Sequence, residues 1–273
     1  MFDVVRAPDG SIKGTTGIGF GIEEGVRVRM SAIQEECGSI SVTSNGVPAK
    51  VPALSWLMSN AYADVWQAYD IALEVSTALP IGAGYGVSGA TALGASLCVS
   101  ALSKAQPCPL VHAYDADAST GGGYGDIVTQ IAGGIALRIT PGIDGKVEQV
   151  PPRDYLVVSA TFGPLSTKAV LADARRLKQI SEAATACMGG IAPTSGIQEI
   201  MAGCNEFARG TGLMTPRLAE AVDAVSAAHD VPASMVMLGE SMFTLAKPGN
   251  VASLRDILSS FEVEVLVTRL AGG

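Results

Sequence analysis

The sequence predicts an α+β chain built as two domains. Three observations lead there. Strand-type and helix-type apolar patterns are interspersed along all 273 residues. A stretch dense in turn signals, residues 141–152, separates two such sets. The last third follows the order strand, helix, strand, strand, helix, strand, which is that of a ferredoxin-like unit. A mixed α/β N-terminal domain is therefore expected over residues 1–150 and an α+β C-terminal domain over 151–273.

Each element has a local reason. Residues 10–25 hold six glycines and read as a loop or irregular strand. Alternation from Val26 to Met30 predicts a strand that runs on toward Ile33. Residues 39–44 read as another, turning at Asn45-Gly46, a strong hairpin signal. Apolar residues at helical spacing over 52–66, with Pro52 at the start, predict one helix. Ile71, Leu73 and Val75 share a face of a strand over 70–77. An Ala/Leu/Ser helix then runs to about Lys104, and a second covers 109–118. A glycine loop over 121–125, a short helix over 126–132 and a strand over 134–140 complete the N-terminal set. Beyond the turn-rich stretch come a buried-type strand (155–160) and helices over 168–176, 178–188, 196–208 and 216–230. Short strands over 234–237 and 242–246, a helix over 251–260 and a strand over 262–270 close the chain.

Composition excludes several classes. A net charge of −8 and aromatics at 5% argue against a nucleic-acid surface and against an anionic membrane surface. Five cysteines (Cys37, Cys98, Cys108, Cys187, Cys204) in odd number, without a CxxC pair, argue against a disulfide framework or zinc site. They are expected to be buried small hydrophobes in a reducing cytosol. Two histidines, His112 and His229, leave little material for a His-based metal centre or a Ser-His-Asp triad. Residues 75–103 carry no charge, but Pro80, five glycines and seven Ser/Thr residues interrupt them, against a membrane span. The start, with Asp3, Arg6, Asp9 and Gly10, lacks a leader pattern, so a cytoplasmic protein is expected.

Glycine is abundant, 32 of 273 residues, and its location matters. In Pro80-Ile81-Gly82-Ala83-Gly84-Tyr85-Gly86-Val87-Ser88-Gly89-Ala90 a strand enters and a helix leaves. Glycines let backbone N–H groups approach a ligand closely, and a helix start favours anions. The segment reads either as a phosphate loop or as a tightly packed turn. It lacks the lysine of a Walker loop and the intervals of a dinucleotide fingerprint. Ser88 offers a hydroxyl for phosphate or a magnesium ion. In Gly121-Gly122-Gly123-Tyr124-Gly125-Asp126 the acid is either a helix N-cap or a catalytic acid at a rim.

The spacing of Pro80, Gly84, Gly86, Ser88, Gly89 and Ala90 resembles the second motif of the GHMP kinases, PxxxGLGSSAA. Gly125-Asp126, with Gly133-Gly134 beyond it, resembles the catalytic-aspartate segment of the mevalonate kinase-like members. Within that superfamily the likeness runs to the archaeal pantoate kinase group, over about residues 12–268. It is carried by residues 82–90 continuing to Gly94, by Ala116-Asp117 followed by residues 123–126, and by Gly163-Pro164-Leu165-Ser166-Thr167-Lys168. Val87 replaces the first serine of the general motif, and the third motif is reduced to Leu238-Gly239-Glu240-Ser241. The family's first motif, a strand with a PGH-like turn, would precede residue 3, so the N-terminal domain is expected to lack its first strand.

The resemblance implies a two-domain GHMP fold. It implies phosphoryl transfer from ATP to the primary hydroxyl of pantoate, giving 4-phosphopantoate for coenzyme A synthesis. Gly82, Gly84, Tyr85, Gly86, Val87, Ser88 and Gly89 would bind ATP, and Ser88 with Asp117 would hold Mg²⁺. Asp115 is the rival ligand, about 200° away on the same helix. Asp126 would orient or deprotonate the acceptor hydroxyl. Thr167 and Lys168 would meet the substrate carboxylate or phosphate, unless they only start a helix. Arg138, Arg153, Arg175 and Lys178 are further possible anion contacts. A homoserine or mevalonate-type kinase and a non-catalytic nucleotide-binding relative remain as alternatives, and the resemblance implies a homodimer.

Overall fold

A computed structural model describes residues 1–103, 108–151 and 154–272. Along the chain run β1 (Phe2–Arg6), β2 (Ile12–Phe20), β3 (Val26–Gln34), β4 (Ile40–Ser44) and β5 (Val47–Pro48). Then come α1 (Pro52–Trp56), a π-helical turn (Leu57–Ala61), α2 (Ala63–Ala68), β6 (Tyr69–Thr77), α3 (Val87–Ser100), α4 (Pro109–Ser119) and α5 (Asp126–Ala132). β7 (Ile135–Arg138), β8 (Val147–Val150), β9 (Leu156–Gly163), α6 (Thr167–Ala172), α7 (Ala174–Met188), α8 (Ile197–Gly210) and α9 (Pro216–Ala228) follow. The chain ends with β10 (Ser234–Val236), β11 (Glu240–Ala246), α10 (Val251–Ser259) and β12 (Val265–Arg269). The fold class is α+β, as the sequence predicts.

The chain forms two compact units, and neither is a single stretch. One comprises Met1–Glu24, Pro80–Tyr85 and Val128–Gly273; the other comprises Gly25–Leu79 and Gly86–Ile127. These differ from a division at residue 150. The turn-rich stretch is not a linker. Ile139 N–H donates to Lys146 O, and residues 139–146 turn a hairpin that returns as β8 against β7. Strand β8 went unforeseen because its four residues sit amid Pro-Gly and Asp-Gly turn signals.

In the first unit, β1, β2, β7 and β8 form an antiparallel sheet in that order. A second antiparallel sheet has the order β10-β11-β9-β12, so the first and last strands of the ferredoxin-like run are neighbours. One hydrophobic cluster serves both sheets and α7–α10. Helix α8 shows why: Ile197, Ile200, Met201, Cys204, Phe207 and Ala208 recur at helical spacing and are all buried. The Phe207 ring meets Phe2 of β1 edge-on, with centroids 5.9 Å apart. Caps set the helix starts. Asp173 accepts from Arg175 N–H and Arg176 N–H, and Thr215 accepts from Leu218 N–H ahead of Pro216.

In the second unit, β3 pairs antiparallel with β6 over nine residues, β4 runs parallel to β6, and β5 is a short edge. Asn45 and Gly46 both have positive φ (49° and 80°), as a two-residue hairpin requires. The single helix expected over 52–66 is broken at Tyr62. That residue leaves helical geometry (φ −131°, ψ 32°) and buries its ring. Its hydroxyl lies 2.6 Å from Ser96 Oγ, and the ring stands edge-on to His112. Burying a large ring with its hydroxyl satisfied outweighs two or three regular helical bonds. The end expected for α3, Lys104, lies outside the described residues. Of the cysteines only Cys204 is buried; Cys37 and Cys108 are exposed, against the expectation for all five. No helix among the described residues is long and apolar enough to cross a membrane.

Replacing Phe207 by alanine removes the ring that joins α8 to β1. A loss of about 3–5 kcal/mol in unfolding free energy is expected, read from a urea titration.

Candidate active site

The glycine-rich segment that carries the sequence argument lies between β6 and α3. Gly82, Gly84 and Gly86 all adopt left-handed φ (77°, 90° and 67°), which other residues reach only under strain. Gly86 is the N-cap of α3, and it has no side chain to cover the helix's first amides. Within the first turn the three side chains part company. Val87 is buried, Ser88 is exposed, and Gly89 is buried. The valine found in place of the family's first serine is therefore a core residue, while Ser88 keeps its hydroxyl at the surface.

In the first unit, residues 80–85 rest on the hairpin between β10 and β11. A Cβ on Gly239 would overlap the carbonyl of Ala83, and one on Gly84 would come within 2.9 Å of Met237 O. The Ser241 hydroxyl donates to Ala83 O at 2.9 Å. On another side, Leu165 N–H donates to Gly82 O at 2.9 Å. The reduced third motif, Leu238–Ser241, is thus a platform for the glycine loop, a role its sequence alone did not disclose. The same is true of Ser159 and Thr161, two residues apart on one face of β9. Their hydroxyls lie 2.6 and 3.1 Å from the Tyr85 hydroxyl. The Tyr85 hydroxyl is therefore engaged by the sheet.

The second unit brings Ser88, Asp117 and Asp126 together. Asp117, on α4, is 1% exposed, whereas Asp115 is exposed, so of the two it is Asp117 that lies within this cluster. A Cβ built on Gly89 would stand 3.3 Å from Asp117 Oδ2 and 3.5 Å from Asp126 Cβ. The glycine run after α4 has a steric cause. Gly122 N–H donates to Asp117 O at 2.8 Å, and a Cβ there would overlap the Asp117 carboxylate. A Cβ on Gly123 would fall 2.9 Å from Asp126 Oδ2.

The electrostatics of this cluster are unfavourable as it stands. Burial and the nearby Asp126 charge push the Asp117 carboxyl up to about 7, with Ser88 pulling weakly the other way. Neither Asp117 oxygen has a full hydrogen bond among the described residues; Ser88 is near enough to act on the charge, short of bonding geometry. A buried, unbonded carboxylate beside a second carboxylate and an exposed hydroxyl suits a divalent cation that keeps water or phosphate oxygens as further ligands. The residues present therefore fit Mg²⁺.

The other expected residues separate. Ser166 caps α6 by accepting from Ala169 N–H, Thr167 is the first helical residue, and Lys168 is exposed. Arg138 is not a surface anion contact: it is 5% exposed and donates to Thr129 Oγ1 at 2.7 Å. Arg175 and Lys178 are exposed on α7, and Lys178 lies 3.7 Å from Glu182. Arg153 lies outside the described residues.

Two outcomes are expected. With divalent ions removed, Asp117→Asn gains thermal stability over the parent as pH rises. The folded carboxyl holds its proton more tightly than the unfolded one. The parent thus loses stability between about pH 3.8 and 7, by up to ~1.4 kcal/mol per pH unit, and the asparagine variant does not. The difference in Tm is small below about pH 4, grows through pH 5 and 6, and levels off above pH 7. Separately, Gly239→Ala forces the loop off its platform, and limited proteolysis is expected to cut within residues 80–85 faster than in the parent.

Comparisons with known proteins place this arrangement. A pantoate kinase from Methanospirillum hungatei is 29% identical over 245 residues, 88% of this chain and 81% of that protein. One from Methanocaldococcus jannaschii is 25% identical over 95% of this chain and 92% of that protein. One from Thermococcus kodakarensis is 30% identical over 73% of this chain and 65% of that protein. Among solved structures, a phosphotransferase related to the CoA biosynthesis pathway superposes with a TM-score of 0.84 at 24% identity, covering 100% of this chain and 92% of that one. Mevalonate kinase from L. major, solved with R-mevalonate, gives 0.67 at 12% identity, covering 94% and 89%. No protein-family model matches the chain. The chain thus shares its fold with solved mevalonate and homoserine kinases and is similar in sequence, over most of its length, to pantoate kinases.

Proposed function

We propose that the protein is a kinase that transfers the γ-phosphoryl group of ATP to the primary hydroxyl of pantoate, giving 4-phosphopantoate and ADP. The observation that carries this reading is the coincidence of two likenesses. Pantoate kinases match over most of the chain, and within the second unit Ser88, Asp117 and Asp126 are gathered at the start of α3.

The chemistry follows from the residues. Phosphoryl transfer asks mainly for positioning and for charge stabilisation. The amides from Gly82 to Gly89 would cradle the ATP phosphates, and the unobstructed first turn of α3 would add its partial positive charge. Ser88 and Asp117 would hold Mg²⁺, which when bound offsets the charge on the phosphates. Asp117 must shed its proton to serve as a ligand. Asp126 would accept the proton of the attacking hydroxyl as its oxygen bonds to the γ-phosphorus and the bond to the departing ADP breaks. Thr167 and Lys168 start the helix after the segment whose Leu165 N–H holds Gly82 O; they are the groups proposed for the pantoate carboxylate.

An ADP-release assay with Mg-ATP tests the reading. Turnover is expected with pantoate and not with homoserine or mevalonate, and Asp126→Asn is expected to lower kcat at least 100-fold. Faster turnover of homoserine or mevalonate moves the protein to another branch of the superfamily. Absence of ATP binding by the intact chain removes the kinase reading.

A further inference from the structure

We infer that the Tyr85 hydroxyl is a positioning group for the phosphate loop, tying residues 82–85 to β9 and so fixing where their amides meet ATP. The inference rests on the kinase reading above and goes beyond it. The superfamily's second motif, PxxxGLGSSAA, has leucine at this place, which can pack but cannot hydrogen-bond. Here the residue is tyrosine, and its hydroxyl reaches Ser159 Oγ at 2.6 Å and Thr161 Oγ1 at 3.1 Å.

Proton counting gives the chain a direction. Ser159 Oγ is 2.6 Å from Met242 O, a carbonyl that can only accept, so the single Ser159 proton is committed there. Tyr85 must then donate to Ser159, and its oxygen is left to accept from Thr161. Ser159 is fully buried, in the strand that pairs with both β11 and β12. The anchor therefore sits on an inner strand of its sheet, paired on both sides. Ser241 Oγ lies 2.9 Å from Ala83 O and 3.1 Å from the same Thr161 hydroxyl, and its single proton is shared between these two acceptors. Two of the loop's residues, Ala83 and Tyr85, are thus held through one hydroxyl cluster. Between them Gly84 is held only by close backbone approach to the β10–β11 turn.

This arrangement separates positioning from folding. If the Tyr85 hydroxyl is deleted, Ser159 keeps Met242 O and Thr161 keeps Ser241, so no buried group is orphaned. The loop loses the tether made by its own Tyr85 side chain, while the Ser241 bond to Ala83 O and the bonds of the sheet remain.

Tyr85→Phe is the test. The expected result is a rise of about tenfold in the KM for ATP, with the KM for the acceptor changed less than twofold and Tm within about 2 °C of the parent. Ser159→Ala added to Tyr85→Phe is expected to lower Tm without raising the ATP KM further, since the tether it completes is already gone. Amide hydrogen exchange at residues 82–85 is expected to be faster in Tyr85→Phe. An unchanged ATP KM, or equal rises in both KM values with a fall in Tm, overturns the inference. If the parent turns over no acceptor, the kinase reading fails alone. The Tyr85 inference then stands or falls on exchange at residues 82–85 and on ATP affinity by calorimetry, unchanged values in the variant overturning it.

Discussion

The buried carboxylate of Asp117 is the constraint around which the rest of the second unit is arranged. A carboxyl group taken out of water beside another carboxylate resists ionisation, and here it does so without a full hydrogen bond among the described residues. Such an arrangement persists only if the backbone around it makes room. Gly122 and Gly123 do so after α4, and Gly89 does so in the first turn of α3. On the proposed function this cost would be the counterpart of affinity for a cation: a ligand already stripped of water and hydrogen bonds would have little to lose on binding Mg²⁺.

Much of this was legible in the sequence, for reasons that can be named. Strands β3, β4 and β6 announce themselves by alternation, and Asn45-Gly46 by its turn chemistry. The glycine loop and the Asp126 run were visible because close backbone approach admits only one residue type. Asp117 could be preferred over Asp115 only by likeness, because helical spacing shows that two residues face apart without showing which faces inward. The break at Tyr62 depended on Ser96 and His112, 34 and 50 residues away in number, and no local pattern contains them.

What the sequence concealed most fully was support at a distance. Gly239 and Ser241 matter through Ala83; Ser159 and Thr161 matter through Tyr85. In each case a short polar or glycine residue in an ordinary strand or turn acts on a segment some 75 to 155 positions away, and its own neighbours give no sign of it. The same long-range dependence runs through the first sheet. Residues 141–152 look like a linker when read locally, but β8 closes a sheet begun at β1.

That sheet has a consequence for how the chain reaches its native state. Gly17 of β2 must find Arg138 of β7, a closure across more than a hundred residues. Sequence separation of this size ordinarily slows folding, because loop entropy is lost before contacts reward it. All of the second unit, residues 25–79 and 86–127, lies within that span. Once it has condensed, the stretch between the two strands is no longer a slack polymer but a compact body with short tails, and the closure becomes local. The order of synthesis favours the same route. Unit two is complete before residue 138 emerges from the ribosome, so the sheet of unit one is the late event and the natural place for a kinetic trap.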